Sequence, residues 1–256
     1  MSWSVIARKD TRDAVRDGTF QWNTLFLALV TGATGYLHST TGGTAGLTTD
    51  LSVVMTAVVP FAAVLVAHES IAFERATGRI RTTLALPHTR RDVLIGYALG
   101  RVTVLVATVG IALVVAAATT LLFGGTIAIR PFLGFAVATV AVGAAFAVIA
   151  VALSAMTRST TRSLIAGGTV VTASLGWPAL LAAGWSTIVG GSMPPWLHVL
   201  GGWDPIRAYA KTAVLFAGTD LGSLGSDPSL IGPALLAAWP ALFAVIGIIR
   251  FTAVDL

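Results

Sequence analysis

The stretch Val93–Phe123 runs for 31 residues with a single charged side chain, Arg101. Crossing a hydrocarbon layer of about 30 Å takes roughly 20 apolar residues in a helix. Five further stretches meet that requirement: Phe20–Leu37, Leu51–Ala67, Pro131–Met156, Leu164–Val189 and Pro233–Ile249. Inside lipid every backbone polar group must be satisfied within the structure, which leaves helices or a closed barrel. The runs are unbroken and lack the alternation of barrel strands, so an all-α integral membrane protein with about six spans is expected. The first run is the most diluted, by Asn23 and several threonines and glycines. The rest of the chain agrees: 55% of its 256 residues are hydrophobic and only 11% charged, against roughly a quarter in soluble domains. Too little polar surface remains to cover a water-soluble globule.

The basic residues orient this bundle. Arg8, Lys9, Arg12 and Arg16 precede the first run, and Arg75, Arg79, Arg81, Arg90 and Arg91 separate the second from the third. Arg158 and Arg162 separate the fourth from the fifth, and Arg250 follows the sixth. Only Arg130, Arg207 and Lys211 fall on the opposite side. Cytoplasmic loops carry the Lys/Arg excess, so both termini are expected in the cytoplasm. The net charge of +5 is then accounted for by membrane orientation rather than nucleic acid. The leader mixes acids with bases and has no small-residue cleavage site after a compact apolar core, so it is read as mature protein rather than a signal peptide.

Three segments stand apart from the lipid-facing background. Residues 1–19 place Trp3, Ile6, Ala7 and Ala14 near one helical face, which suits an interfacial helix with basic residues toward anionic headgroups, or a charged leader that only sets topology. Residues 68–92 put Phe73, Ile80 and Leu84 at near-helical spacing, with Glu74, Arg75, Arg79 and Arg81 on the remaining surface. Gly78 interrupts that helix mildly, Pro87 turns the chain, and a new helix is expected to begin near Thr89 or Asp92. A docking helix and a plain basic loop both fit. Residues 190–232 carry Trp196, Trp203 and Tyr209, with Asp204 read as an N-cap and Pro205 as the first helical residue. The helix Pro205–Ala217 is too short to span; it either dips into the outer leaflet, covers a path as a lid, or lies flat at the interface.

Conventional catalytic chemistry is missing from this pattern. There are no cysteines, and His38, His68, His88 and His198 lack metal-ligand spacing. His68 and Glu69 are sequence neighbours and are expected on different helix faces. The glycine-rich stretch Gly42–Gly46 is followed by no lysine, so it is not a phosphate-cradling loop. The spans hold no acid of the kind used by many ion-coupled carriers, and Arg101 is expected to snorkel toward the interface.

The segments "IARKDTRDAVRDGTFQ", "ERATGRIRTTLALPHTRRDVLIGYALGR" and "GGWDPIRAYAKTAVL" together make the chain resemble permease subunits of ABC transporters of the ABC-2 type, over essentially its full length. It is also similar to the subgroup that includes the permease of nitrous oxide reductase maturation. The resemblance implies a single permease domain over 1–256, with an elbow helix at 1–19, a coupling segment at 68–92 and short outer-side helices at 190–232. It implies pairing with a second copy or homologue and with a separate ATP-binding subunit that holds ATP-Mg, this chain itself carrying no cofactor. Glu74, Arg75, Gly78, Arg79 and Arg81 fall on the coupling segment. Pro60, Pro178 and Pro240 are candidate flexion points. Ala28, Gly32, Gly168 and Gly176 would permit close contact between copies. A transporter or channel that works without an ATPase, or a membrane anchor, is the competing reading.

Overall fold

The computed structural model describes residues 2–41, 46–80, 85, 89–218 and 228–253, and the named elements within them are helical. They are α1 (Ser2–Arg16), α2 (Thr19–Thr40), α3 (Leu47–Ala67), α4 (Ser70–Ala76) and α5 (Arg90–Leu122). There follow α6 (Ile129–Met156), α7 (Thr160–Ile188), α8 (Pro195–Gly201), α9 (Pro205–Ala217) and α10 (Ile231–Ala253). Each apolar run coincides with one long helix to within four residues at its ends. The Leu47–Ala76 stretch, α5, α6, α7 and α10 are long and apolar enough to cross a membrane. The remaining run, α2, is 22 residues long, or about 33 Å at 1.5 Å per residue, and carries no Asp, Glu, Lys or Arg.

The residues that dilute α2 have a structural use. Thr31 Oγ1 donates to the Ala112 carbonyl at 2.7 Å, Ser39 Oγ to that of Thr120 at 3.1 Å, and Thr24 and Thr108 pair hydroxyls at 3.2 Å. These bonds join α2 to α5 along its length, as Ser and Thr do where the apolar surroundings offer no other partner. Gly32 lies against Val115 of α5, so its small size serves packing inside the chain rather than between copies.

Local sequence sets the helix starts. Thr89 and Asp92 form a reciprocal capping box that begins α5, with each side chain bonded to the other's backbone N–H at 3.1 Å. Asp204 Oδ1 accepts from the N–H groups of Ile206 and Arg207 at 2.8 and 3.0 Å, and Pro205 occupies the first turn of α9. Both starts fall where the sequence predicts them.

Helix α6 is the hub, packing against α3, α5, α7, α9, α10 and α4. Its large buried rings are Phe135 and Phe146. In contrast α7 buries only Ser163, Gly167, Val171 and Ser174, one narrow stripe, and presents Ile165, Leu180 and Ile188 outward.

The outer-side helix does not lie flat. Pro205, Ile206, Tyr209, Thr212 and Val214 are all buried, and α9 packs against α6, α10 and α3. Tyr209 is fully buried, its hydroxyl 3.3 Å from Thr139 Oγ1, ten residues into α6. The backbone of Phe216 crosses α6 at Gly134, where an added Cβ would collide with its carbonyl oxygen. Trp177 Nε1 donates to Leu200 O at 3.3 Å and Trp239 Nε1 to Trp203 O at 2.7 Å. Trp177 precedes the end of α7 by eleven residues and Trp239 follows the start of α10 by eight, so the α8–α9 turn lies about 12–17 Å below those helix ends. The turn between α8 and α9 is therefore re-entrant, sunk between α7 and α10, while α8 itself stays largely exposed.

Candidate functional site

Charged side chains gather where α1, α4, α5, α6 and α10 meet. Ile6, Asp10 and Ala14 repeat every fourth residue along α1 and are buried, whereas Trp3 of the expected apolar face is exposed. This stripe lies across the start of α5 at Gly96 and Gly100. A Cβ at Gly96 would meet Ile6 Cβ at 2.7 Å and the Trp3 carbonyl at 2.9 Å. One at Gly100 would meet Asp10 Oδ2 at 2.5 Å and the Ala7 carbonyl at 3.1 Å. Glycines four residues apart thus open the groove in which α1 rests, the close approach that small residues permit in membrane helices.

Asp10 reaches Arg101 through that groove. Arg101 Nη2 donates to Asp10 Oδ1 at 2.8 Å and Nη1 to the Val66 carbonyl at 2.8 Å, so one guanidinium joins α1, α3 and α5. Arg101 therefore does not snorkel free; a carboxylate from α1 comes to it. Burial pushes the Asp10 carboxyl up to about 6, against the pull of Arg101.

Glu74 extends the cluster into α4. Lys9 Nζ lies 3.6 Å and Arg79 Nε 3.8 Å from its carboxylate oxygens, and the Tyr97 hydroxyl of α5 stands beside it. Glu74 is only 6% exposed and Phe73 44% exposed, the reverse of the helical face read from the sequence. The reason is the direction of packing: α4 turns Ile71, Ala72 and Glu74 inward onto α6 and α5. Ile80 is buried as expected. Arg81 and Leu84 lie outside the described residues.

The start of α4 is held from α6. Ser154 Oγ accepts from the N–H groups of Ile71 and Ala72 at 3.1 and 2.9 Å and donates to the His68 carbonyl at 2.9 Å. A side chain more than eighty residues away thereby satisfies backbone groups freed by the break after α3. Arg75 Nη1 returns the bond to the carbonyls of Ala155 and Thr157 at 2.8 and 3.3 Å, closing the end of α6. Arg75 also lies 4.9 Å above the buried Phe251 ring, with Arg90 5.8 Å from it. Arg90 Nη1 donates to the Phe251 carbonyl at 2.7 Å and so closes α10. At the same helix break His68 Nε2 lies 3.6 Å from Glu69 Oε1, so these neighbours do approach one another.

Beyond this base the chain projects. Phe73, Ala76, Thr77, Gly78 and Arg79 are exposed, and Gly78 takes φ +74°, a left-handed turn where a Cβ would meet no neighbour among the described residues. The predicted segment thus divides into a braced half, Glu74 and Arg75, and a projecting half, Gly78 and Arg79. Sequence reasoning missed Asp10, Ser154 and Phe251. The fourfold spacing of Ile6, Asp10 and Ala14 could have revealed the first, whereas Ser154 and Phe251 give no local signal. Pro60, Pro178 and Pro240 lie inside continuous helices.

Long apolar helices, a polar base at one end and a re-entrant turn set between helices define a polytopic α-helical membrane protein. Its sequence matches the family described as ABC-2 family transporter protein over residues 4–256, and the chain belongs to that family. It is accordingly a membrane permease component of an ABC transporter, and the match singles out no subgroup. No curated protein matches the chain.

Proposed function

We propose that this chain is the six-span permease subunit of an ATP-driven exporter in the cell membrane, working with a second copy and with a separate ATP-binding subunit that supplies ATP-Mg. The carrying observation is the division of the 68–92 segment. Its root is tied to α6 by Ser154 and Arg75 and to α1 and α5 through Glu74, while Phe73 and the Ala76–Arg79 turn stand exposed. A push on that turn moves stiff helices rather than a loose loop, which is what coupling requires.

The orientation has the same basis. α1, the start of α5 and the ends of α6 and α10 share this base, together with Arg75, Arg79, Arg90 and Lys9. The positive-inside rule puts this end, and with it both termini, in the cytoplasm. α2 then serves as the sixth span, its polar side chains turned to α5. The apolar face of α7, where among the described residues a Cβ at Gly168 would meet no atom and one at Gly176 only Leu180 of the same helix, is the surface offered to a second copy. Pro60, Pro178 and Pro240 serve as flexion points as the pair rearranges.

The test is gentle extraction of the intact membrane complex. Co-purification of a nucleotide-binding subunit is expected, and its consistent absence overturns the proposal in favour of a carrier or channel working alone. Arg79→Ala and Phe73→Ala should lower permease-stimulated ATP hydrolysis several-fold while leaving the permease folded. Unchanged stimulation in the double variant removes the coupling assignment.

A further inference from the structure

A second site lies in the opposite half of the molecule. Between α6, α7, α10 and the re-entrant turn is a cavity of about 360 Å³, walled mainly by Trp177, Trp203, Trp239, Phe243 and Ile149. The indole N–H groups of Trp177 and Trp239 are spent on the carbonyls of Leu200 and Trp203. Those rings therefore have no polar atom left to offer the cavity, only their π surface.

One acid lines the same cavity. Asp204 is 5% exposed, and only its Oδ1 is engaged, by the first N–H groups of α9. Its Oδ2 is buried with no hydrogen-bond partner. Arg207, one turn on, acts on this carboxylate through its charge, but no ion pair joins the two among the described residues, and Arg207 lines a different cavity, beside Pro178 and His198. A buried carboxylate oxygen without a partner is costly, and a membrane-depth acid calls for a cationic partner. Aromatic faces within about 6 Å attract organic cations, quaternary ammonium above all.

We propose that this cavity binds an ammonium group carried on an apolar body, the cation held between the indole faces with the Asp204 carboxylate in the wall as its counter-charge. Ser174, also lining the cavity, adds a hydroxyl. The chemistry is shared by a soluble cationic amphiphile and by a lipid with a choline headgroup. Either enters from the bilayer side, since Trp177 and Trp203 are partly exposed. Occupancy depends on this chain alone and requires no ATP-binding partner, so its failure is separable from failure of the coupling proposal.

The probe is radiolabelled 3-phenylpropyltrimethylammonium, with binding measured by scintillation proximity on the full chain in nanodiscs of phosphatidylglycerol alone. Saturable binding is expected, with 3-phenylpropanol competing at least tenfold less well. Asp204→Asn should weaken binding tenfold or more while preserving the helix start, because Asn caps as well as Asp. Trp239→Leu should do the same from the aromatic side. Adding phosphatidylcholine distinguishes the sources: competitive loss of probe binding identifies the lipid headgroup as occupant, and unchanged binding identifies a soluble cation. Absence of saturable binding, equal competition by the alcohol, or full binding by Asp204→Asn overturns the proposal.

Discussion

Replacing Arg101 by Met tests the base most directly. The substitution keeps an unbranched apolar stem but removes the charge that faces Asp10, whose carboxylate is buried beneath α1 with no other hydrogen-bond donor at Oδ1 or Oδ2 among the described residues. Removing one partner of a buried ion pair costs about 3–5 kcal/mol, whereas replacing both by apolar residues is close to neutral. The loss falls on the seating of α1, which is otherwise held by Ile6, Ala14 and the glycine groove. Amide hydrogen exchange of residues 3–16 reads that seating, and about 1.4 kcal/mol corresponds to a tenfold change in protection. Arg101→Met should therefore lower α1 protection by at least about a hundredfold at pH 8. Asp10→Leu combined with Arg101→Met should recover most of it. Protection in Arg101→Met that stays within about twofold of the parent, or a double variant as impaired as the single, refutes the pair as the fastening of α1.

Burial of Asp10, outweighing the pull of Arg101, sets a pH dependence of opposite sign to that of a surface salt bridge. Asp10 titrates near 6 when seated and near 3.8 when released, so the seated state holds its proton more tightly. The stabilisation is complete below about pH 4 and is lost as pH rises through 6, by about 3 kcal/mol in all; α1 protection, corrected for intrinsic exchange, should fall over that window and then level. Ser154→Ala withdraws the acceptor from two backbone N–H groups of α4, costing about 1–2 kcal/mol, and should raise proteolysis at Gly78 before any change in the thermal transition. Gly134→Val collides with the Phe216 carbonyl and should unseat the end of α9, read as new labelling of a cysteine placed at the buried Ala213 in this cysteine-free chain. Arg90→Ala uncovers the last carbonyls of α10 and should lower the thermal midpoint by a few degrees, about 1 kcal/mol.

Much of this molecule is legible without coordinates. Spans follow from apolar run length, because lipid tolerates only backbone that satisfies itself, and each run coincides with one helix to within four residues at its ends. The starts of α5 and α9 are equally local, since Thr89–Asp92 and Asp204–Pro205 meet their backbone partners within three residues. The family could also be identified from the three motif segments. Tertiary structure decided what depends on partners remote in sequence. Glu74 is buried because α6 and α5 take that face of α4, a choice that helical spacing alone assigned to Phe73. Arg101 finds its counter-charge in α1, ninety-one residues earlier, and Ser154 closes a break more than eighty residues before it. The depth of α9 belongs to the same class: an amphipathic 13-residue helix suits an interface or an interior, and only the groove at Gly134 and the Tyr209–Thr139 contact select the interior. Hydrophobicity acts along the chain and can be read there, whereas each of these choices is made by a neighbour whose position exists only after folding.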